Sequence, residues 1–252
     1  MAQMRCIECS EVLSVKKANW IGFLPFYLLV VIIFIGIAIA GSRATTTIAQ
    51  NRPIARRNSI VIDAGHGGID GGAISCSGVP ESKLNLDIAL KLECVLQLLG
   101  MDTVMIRTTD TSVYTEGTTI AAQKVSDLKE RVRIANETPN ALLISIHQNT
   151  FPDGRYSGAQ VFYSGNEESK ELSQTLQTNF NQALCHGSNR KSKKAQGIYL
   201  MQNIECPGVL IECGFLTNHQ EEAKLRSDAY QKQLCCVIAA SVSSFLVSQN
   251  QG

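Results

Sequence analysis

Three short apolar stretches of the sequence each run into a side chain that could bind a metal ion. His66 follows IVIDAG within a glycine-rich segment, His147 follows LLISI, and Glu212 follows GVLI. Two imidazoles and one carboxylate, with a fourth position left open, form the ligand set of a catalytic zinc site. A further carboxylate that does not bind the metal can act as a base. These residue types indicate metal-assisted chemistry if the fold brings them together.

The glycine-rich segment IVIDAGHGGIDGGA could cradle a phosphate, hold a metal or simply turn the chain. Glycine-rich loops bind phosphate through bare backbone N–H groups. The dinucleotide pattern fails, because Asp70 stands where the third glycine of a frame starting at Gly65 belongs, and no G-K-[ST] follows. A lone histidine on such a turn is usually a turn residue, and a lone glutamate after a strand usually forms a salt bridge. Their joint occurrence after three strands, in a chain with four histidines, favours one shared site.

Short β-branched runs alternate with longer helical patterns from residue 59 onwards. The predicted strands are SIVIDAG, DTVMIRT, ALLISIH, SGAQVFYS and GVLIECGFL, and the predicted helices are ESKLNLDIALKLECVLQLLG, TIAAQKVSDLKERVRIANE, SKELSQTLQTNFNQALCH and residues 230–247. This alternation predicts an α/β fold, a single domain with a mostly parallel mixed sheet flanked by helices. Three of the strands are almost continuously apolar, which is typical of central strands covered on both faces.

This fold would bring the candidate residues to one place. The carboxyl ends of parallel strands lie along one edge of a sheet, and functional sites form there. We therefore expect His66, His147 and Glu212 to meet at that edge. Glu81 is a fourth candidate because it opens the first helix, and a helix start in such a fold returns to the same edge. From the residues alone, either glutamate could be the metal ligand.

The overall composition argues against nucleic acid as a partner. The 252 residues carry a formal net charge of +1, and the one basic cluster, NRKSKK at 189–194, is short enough to be a solvated loop.

The nine cysteines are odd in number and follow no disulfide framework, so we expect mostly free thiols. Cys6 and Cys9 have C-x-x-C spacing but no second pair to complete a zinc ribbon. We expect His186 and His219 to have capping or solvated roles.

Residues 20–41 form an apolar run without a charged residue. A run of about 20 apolar residues can span a bilayer as a helix, whereas the apolar core of a signal peptide has about 7–15 residues. We therefore expect an N-terminal transmembrane helix, with 1–19 as a short cytoplasmic N-terminus and 42–58 as a linker. Ala38 and Ala40 form an A-x-A-like cleavage site, so a cleaved signal sequence is the alternative. The domain would be membrane-anchored outside the cytoplasm, or secreted after cleavage.

Four motifs, in order along the chain, resemble those of the zinc-dependent N-acetylmuramoyl-L-alanine amidases of the Amidase_3 type. The motifs are IVIDAGHGGIDGGA, ESKLNL, LLISIHQN and GVLIECGFLTN, and DLKERVRIAN resembles the helix before the second-histidine strand. The resemblance implies that residues 59–249 are a zinc amidase catalytic domain. It implies Zn²⁺ as the cofactor, held by His66, Glu81 and His147. It also implies that Glu212 is the general base and acid.

By this resemblance the substrate would be peptidoglycan, cleaved at the amide bond between N-acetylmuramic acid and L-alanine, and the partner would be a glycan strand with peptide stems. Within this family the chain is most similar to the germination-specific amidases of the spore cortex. This similarity rests on the anchored single-domain layout and on the segments SGAQVFYS and NRKSKKAQGIYLM. Some amidases of this type need an activator protein, and residues 108–123 could form a partner surface or a solvated loop. Gln148 and the polar stretch 185–197 depart from the family pattern outside the four site positions.

Two other functions stay open at this point. In zinc carboxypeptidases the histidine and glutamate are three residues apart, whereas His66 and Glu81 are fifteen apart. Such an enzyme also needs an arginine to clamp a terminal carboxylate, and no arginine identifies itself for that task. The second alternative is a non-catalytic, membrane-tethered wall-binding protein. A complete ligand set together with the additional Glu212 argues against it.

Overall fold

The structure, a computed structural model, describes residues 58–249. The predicted anchor at 20–41, the predicted linker up to residue 57, and the N-terminus at 1–19 with Cys6 and Cys9 lie outside the described residues. The described strands are β1 (Ser59–Ala64), β2 (Asp102–Met105), β3 (Ala141–Asn149), β4 (Gln160–Tyr163), β5 (Lys193–Lys194) and β6 (Gly208–Phe215). They form one sheet in the order β2-β1-β3-β6-β4-β5.

The three central strands run parallel and carry the predicted site residues at their carboxyl ends. β3 pairs with β1 on one side and with β6 on the other, both in parallel register, and His147 stands opposite Glu212. β2 is parallel to β1, and β5 is parallel to β4. β4 alone is antiparallel to its neighbour β6, with Gln160 opposite Glu212. The predicted α/β domain with a mostly parallel mixed sheet is confirmed.

Helices cover both faces of this sheet. They are α1 (Glu81–Leu98), α2 (Ile120–Glu137), α3 (Glu167–Ala183), α4 (Tyr199–Asn203), α5 (His219–Leu225) and α6 (Asp228–Gln249). Side chains alternate along β1, so that Ile60 and Ile62 pack in the core cluster with α1, α3 and α6, while Val61 packs in the cluster on the opposite face with α2 and α4. The three central strands are therefore buried on both faces, as predicted.

The helix that carries Glu81 forms because its apolar residues recur every four positions. Leu84, Ile88, Leu92 and Leu96 are each at most 2% exposed, which is the spacing of one helix face. The predicted helix extended to Gly100, but the helix ends at Leu98 and Leu99 is exposed. Gly100 follows with a φ of 75°, the left-handed conformation common after helix ends.

Helix α6 is the one helix within residues 58–249 that is long and apolar enough to cross a bilayer. It packs against α1 and α3. Leu234, Ile238, Val242 and Phe245 lie on its buried face and join the larger core cluster. We therefore describe α6 as a core helix of this domain.

The cysteines within residues 58–249 are free thiols, in agreement with the prediction for that part of the chain. Cys213 and Cys235 are fully buried in the larger core cluster. The short elements α4, α5 and β5 were not predicted, and β5 lies within the stretch predicted to be a loop. Elements this short contain too few residues for a periodic pattern.

Candidate active site

His66 occupies a strained turn directly after β1. Its φ is 60°, in the left-handed region, and it is one of two residues other than glycine with a positive φ within the described range. The next two residues, Gly67 and Gly68, also have positive φ values. A non-glycine residue in this region costs energy, which the surrounding contacts must offset. The turn aims the imidazole of His66 across the carboxyl edge of the sheet toward Glu81.

The side chains of His66, Glu81 and His147 converge at this edge. His66 Nε2 lies 3.3 Å from Glu81 Oε2, and His147 Nδ1 lies 3.0 Å from Glu81 Oε1. One donor atom from each residue lies within 4.8 Å of the others, which is a spacing that one metal ion could bridge. The two imidazole rings meet edge to face, with centroids 5.0 Å apart. Two nitrogens and one oxygen match the donor set of a three-ligand zinc site.

Glu81 is held as a carboxylate by its surroundings. Its Oε1 accepts hydrogen bonds from the backbone N–H of Gln148 and from Asn85 Nδ2, and its Oε2 accepts one from the N–H of Ala73. Burial opposes ionisation, but the adjacent His147 and His66 outweigh it and hold the pKa of Glu81 far below its usual range. Metal binding requires a deprotonated carboxylate, so Glu81 is suited to be a ligand.

The site requires glycine at two positions because of close approach. A Cβ at residue 65 would lie 2.2 Å from His147 Nε2 and would clash with the imidazole ring. A Cβ at residue 72 would lie 2.7 Å from both Glu81 Oε2 and His66 Cδ2. Gly65 and Gly72 therefore leave the space into which the three candidate ligands fit.

Glu212 lies beside these residues but has different contacts. It stands opposite His147 in the register of β6 with β3. Its Oε2 is buried and has no hydrogen-bond partner among the described residues. Burial raises the pKa of Glu212 to about 7, although the neighbouring His147 opposes this shift. A carboxyl group with such a pKa can both accept and release a proton near neutral pH.

Comparison with known proteins identifies the family. Residues 60–244 match the N-acetylmuramoyl-L-alanine amidase family. This chain belongs to that family. The amidase is 33% identical over 236 residues to the germination-specific N-acetylmuramoyl-L-alanine amidase of Bacillus subtilis (strain 168), covering 93% of this chain and 97% of the relative.

Solved structures of similar proteins show the same fold. The amidase aligns with the CwlD amidase of Clostridioides difficile, solved in complex with the GerS lipoprotein, at a TM-score of 0.73 and 35% identity, covering 76% of this chain and 99% of that chain. It also aligns with the catalytic domain of CwlV from Bacillus (Paenibacillus) polymyxa at a TM-score of 0.64 and 29% identity, covering 75% and 98% of the two chains.

A cavity of about 310 Å³ opens over the site of the amidase. His66, His147 and Glu212 line it on the sheet side, and Leu128 and Tyr199 line it on the side of helices α2 and α4. A second cavity, of about 520 Å³, lies around His186 and Lys224 and shares no lining residue with the first. His186 is therefore separate from the candidate ligands. His219 begins helix α5, is exposed, and is likewise outside the ligand group.

Two buried arginines brace the His66 turn. Arg131 of α2 forms an ion pair with Asp63 and donates hydrogen bonds to the carbonyl oxygens of Ala64 and His66, at 3.0 and 2.7 Å. Arg107 donates to the carbonyl oxygens of Ala64 and Gly65, at 2.7 and 3.0 Å. Burial works against ionisation of Asp63, but Arg131 keeps its pKa below the usual value. These contacts offset the strain of the left-handed turn.

The sequence pattern predicts the four site residues at one edge of the sheet but does not predict this brace. Arg131 lies in the motif DLKERVRIAN, where it looks like any other charge of an amphipathic helix. Asp63 was a usable signal, because a carboxylate inside the apolar strand IVIDA must find a buried partner. The identity of that partner depends on which face of α2 packs against the turn.

Proposed function

We propose that this amidase is a zinc-dependent hydrolase that cleaves the amide bond between N-acetylmuramic acid and L-alanine in peptidoglycan. The observation that carries the proposal is the location of Glu212 next to three convergent ligand-type side chains, with its Oε2 atom buried and without a hydrogen-bond partner among the described residues. Family membership supports the substrate and the bond cleaved.

We infer that His66, Glu81 and His147 would hold the zinc ion. The three residues fit the ion because their donor atoms face one another and Glu81 is kept ionised. A set of two imidazoles and one carboxylate leaves a fourth position open, as a catalytic site requires. Bound zinc would lower the pKa of water from 15.7 to about 7 and polarise the scissile carbonyl.

Glu212 would be the general base and then the general acid. Glu212 lines the cavity over the site, and its Oε2 has no competing hydrogen bond among the described residues, so the carboxylate is available to accept a proton from the attacking water. The same carboxyl would pass that proton to the departing amine of L-alanine. Its pKa of about 7 suits both steps, since a general base is most effective when its pKa lies near the working pH.

The carboxypeptidase alternative requires an arginine that can bind the terminal carboxylate of a peptide, and the two arginines at the His66 turn do not meet this requirement. Arg107 and Arg131, which contact the His66 turn, are buried and donate to backbone carbonyls of that turn and to Asp63. Neither is free to clamp the terminal carboxylate of a peptide. The geometry therefore favours amide cleavage within peptidoglycan over release of a terminal amino acid.

A role in spore cortex maturation or germination is supported by the similarity to a germination-specific amidase of Bacillus subtilis. An activator protein is a candidate partner, because the similar CwlD amidase was solved in complex with the GerS lipoprotein. We further propose that residues 20–41 anchor the catalytic domain to the membrane outside the cytoplasm, or serve as a cleaved signal. Membrane fractionation with N-terminal sequencing of the mature protein separates these two cases.

Digestion of purified peptidoglycan by the zinc-loaded full-length protein tests the proposed function. We expect peptides with a free N-terminal L-alanine and glycan strands with a free lactyl carboxyl group. The matched control is Glu212→Gln with equal zinc content, which should release far less of both. Release of C-terminal amino acids would instead mark a carboxypeptidase. Binding without any product would mark a wall-binding protein.

A further inference from the structure

The two histidines of the candidate ligand group are held in different ways. His66 directs Nε2 toward Glu81, and its other ring nitrogen, Nδ1, lies 2.9 Å from Asp70 Oδ2. His147 directs Nδ1 toward Glu81, and the side of its ring that carries Nε2 packs over Gly65. Both rings thus face the Glu81 carboxylate, but the other side of the His66 ring contacts a second carboxylate, whereas the other side of the His147 ring packs over a glycine.

Asp70 is itself fixed in place. Its backbone N–H donates to the carbonyl of Gly67, and the N–H of Gly67 donates back to the carbonyl of Asp70, at 3.1 and 2.8 Å. Its second carboxylate oxygen, Oδ1, lies 2.8 Å from Lys124 Nζ on helix α2. Lys124, Asp70 and His66 therefore form a continuous chain of contacts from α2 to the ligand group.

We propose that Asp70 is a positioning residue that fixes the ring and tautomer of His66, with Lys124 holding the Asp70 carboxylate in place. This inference rests on the proposed function, in which His66 binds zinc. A carboxylate can only accept a hydrogen bond, so Nδ1 of His66 must carry the proton and Nε2 must present its lone pair to the metal. Carboxylate partners of this kind also make a ligating imidazole more basic.

The main test is the zinc affinity of full-length Asp70→Asn, measured by competition with a chromophoric chelator. We expect the dissociation constant for Zn²⁺ to rise by roughly 10–100-fold, the usual effect of removing such a partner. The melting temperature of the metal-free protein should change little, because Asp70 is partly exposed and lies outside the core. Lys124→Met should raise the dissociation constant less, since Lys124 acts through Asp70.

Asp110→Asn is the matched control. Asp110 contacts the same glycine-rich turn, with Oδ1 accepting a hydrogen bond from the Gly68 N–H at 3.1 Å, but it does not touch a candidate ligand. The Asp110→Asn substitution removes the same charge as Asp70→Asn and should leave the zinc affinity within about threefold of the wild type. Equal losses in Asp110→Asn and Asp70→Asn would overturn the proposal, because a general charge effect would explain both.

A second measurement does not depend on any variant. Nitrogen NMR of the zinc-loaded wild-type protein should show His66 protonated at Nδ1, and the opposite tautomer would overturn the proposal. Wild-type zinc affinity for Asp70→Asn would also overturn it. The proposed function fails by a different result, namely a wild-type protein that binds no zinc or a His147→Ala protein that retains it.

Discussion

The ligand group and Glu212 lie at the same edge of the sheet, yet their surroundings differ. Glu81 accepts hydrogen bonds from two backbone N–H groups and one side-chain amide, and it faces two imidazoles. Glu212 is opposite His147 in the sheet, but its Oε2 has no partner within residues 58–249. The pKa of Glu81 is strongly lowered, whereas burial raises that of Glu212 to about 7.

This difference supports the proposal that the two carboxylates have different tasks. A metal ligand has to stay deprotonated, so a carboxylate surrounded by donors is suited to that role. A general base has to exchange a proton, so a desolvated carboxylate with a pKa near neutrality is suited to the other. The sequence alone left the choice between Glu81 and Glu212 open, and the contacts of each carboxylate now support one assignment.

The largest effect is expected for a ligand. His147→Ala should remove most of the bound zinc and reduce activity on peptidoglycan to background, because two ligands rarely retain the ion. Elemental analysis of the purified protein measures the first effect. The control is His219→Ala, at an exposed histidine outside the ligand group, which should keep both zinc and activity. Full zinc occupancy in His147→Ala would contradict the ligand assignment.

Glu212→Gln should give the second largest effect, a loss of activity without a loss of zinc. The amide keeps the size of the side chain but cannot accept the proton, so activity should fall by roughly 10²–10⁴-fold while zinc content stays the same. Kinetics on metal-loaded protein provide the measurement. Loss of zinc would show that Glu212 is a ligand, and near-normal turnover would show that the base lies elsewhere.

The raised pKa of Glu212 also predicts a pH dependence of stability in the metal-free protein. Between pH 4.5 and about 7 the folded state binds a proton at Glu212 that the unfolded chain has released. The free energy of unfolding therefore falls as the pH rises through this window, by at most roughly 3 kcal/mol. Glu212→Gln should lack this fall. The stability of the variant relative to the wild type should therefore be higher at pH 8 than at pH 4.

Urea unfolding of both proteins at several pH values, with a chelator present, measures this difference. His66, whose pKa is raised to about 9 by Glu81 and Asp70 against the effect of burial, contributes its own fall between pH 6.5 and 9. That contribution is present in both proteins, so the comparison isolates Glu212 together with its electrostatic coupling to His66. Parallel pH profiles for the two proteins would show that Glu212 titrates normally.

The smallest effect on activity is expected at Cys213, the residue that follows Glu212 in the chain. Cys213 is fully buried in the larger core cluster, on the opposite face of β6 from Glu212. Cys213→Ser should therefore retain activity within about threefold below its melting temperature. The buried hydroxyl should lower stability by roughly 1–3 kcal/mol, which thermal unfolding can measure. A loss of activity as large as that of Glu212→Gln would mean that a change on the core face of β6 disturbs the site on the opposite face.

The sequence was sufficient to predict the sheet and the meeting of His66, Glu81, His147 and Glu212, because strand ends and helix starts follow from local patterns. It was not sufficient to predict the contacts of Arg131 or Asp70, since these depend on how helix α2 packs over the turn. The left-handed conformation of His66 was also missed. Arg107 and Arg131, which are distant in sequence, hold the carbonyls of this turn, and the conformation has no local signature beyond the glycines that follow.

The order of strands in the sheet has a consequence for how the amidase domain is assembled during synthesis. β6 lies between β3 and β4, although both precede it in the chain. The connection from β3 to β4 therefore passes over the end of β6, where Phe151 and Tyr156 contact Thr217 and Phe215. A chain synthesised only as far as β4 contains His66, Glu81 and His147 but lacks the strand that separates β3 from β4. The proposed base thus joins the site with the strand that completes the sheet, and such long-range pairing is expected to be a slow step of folding.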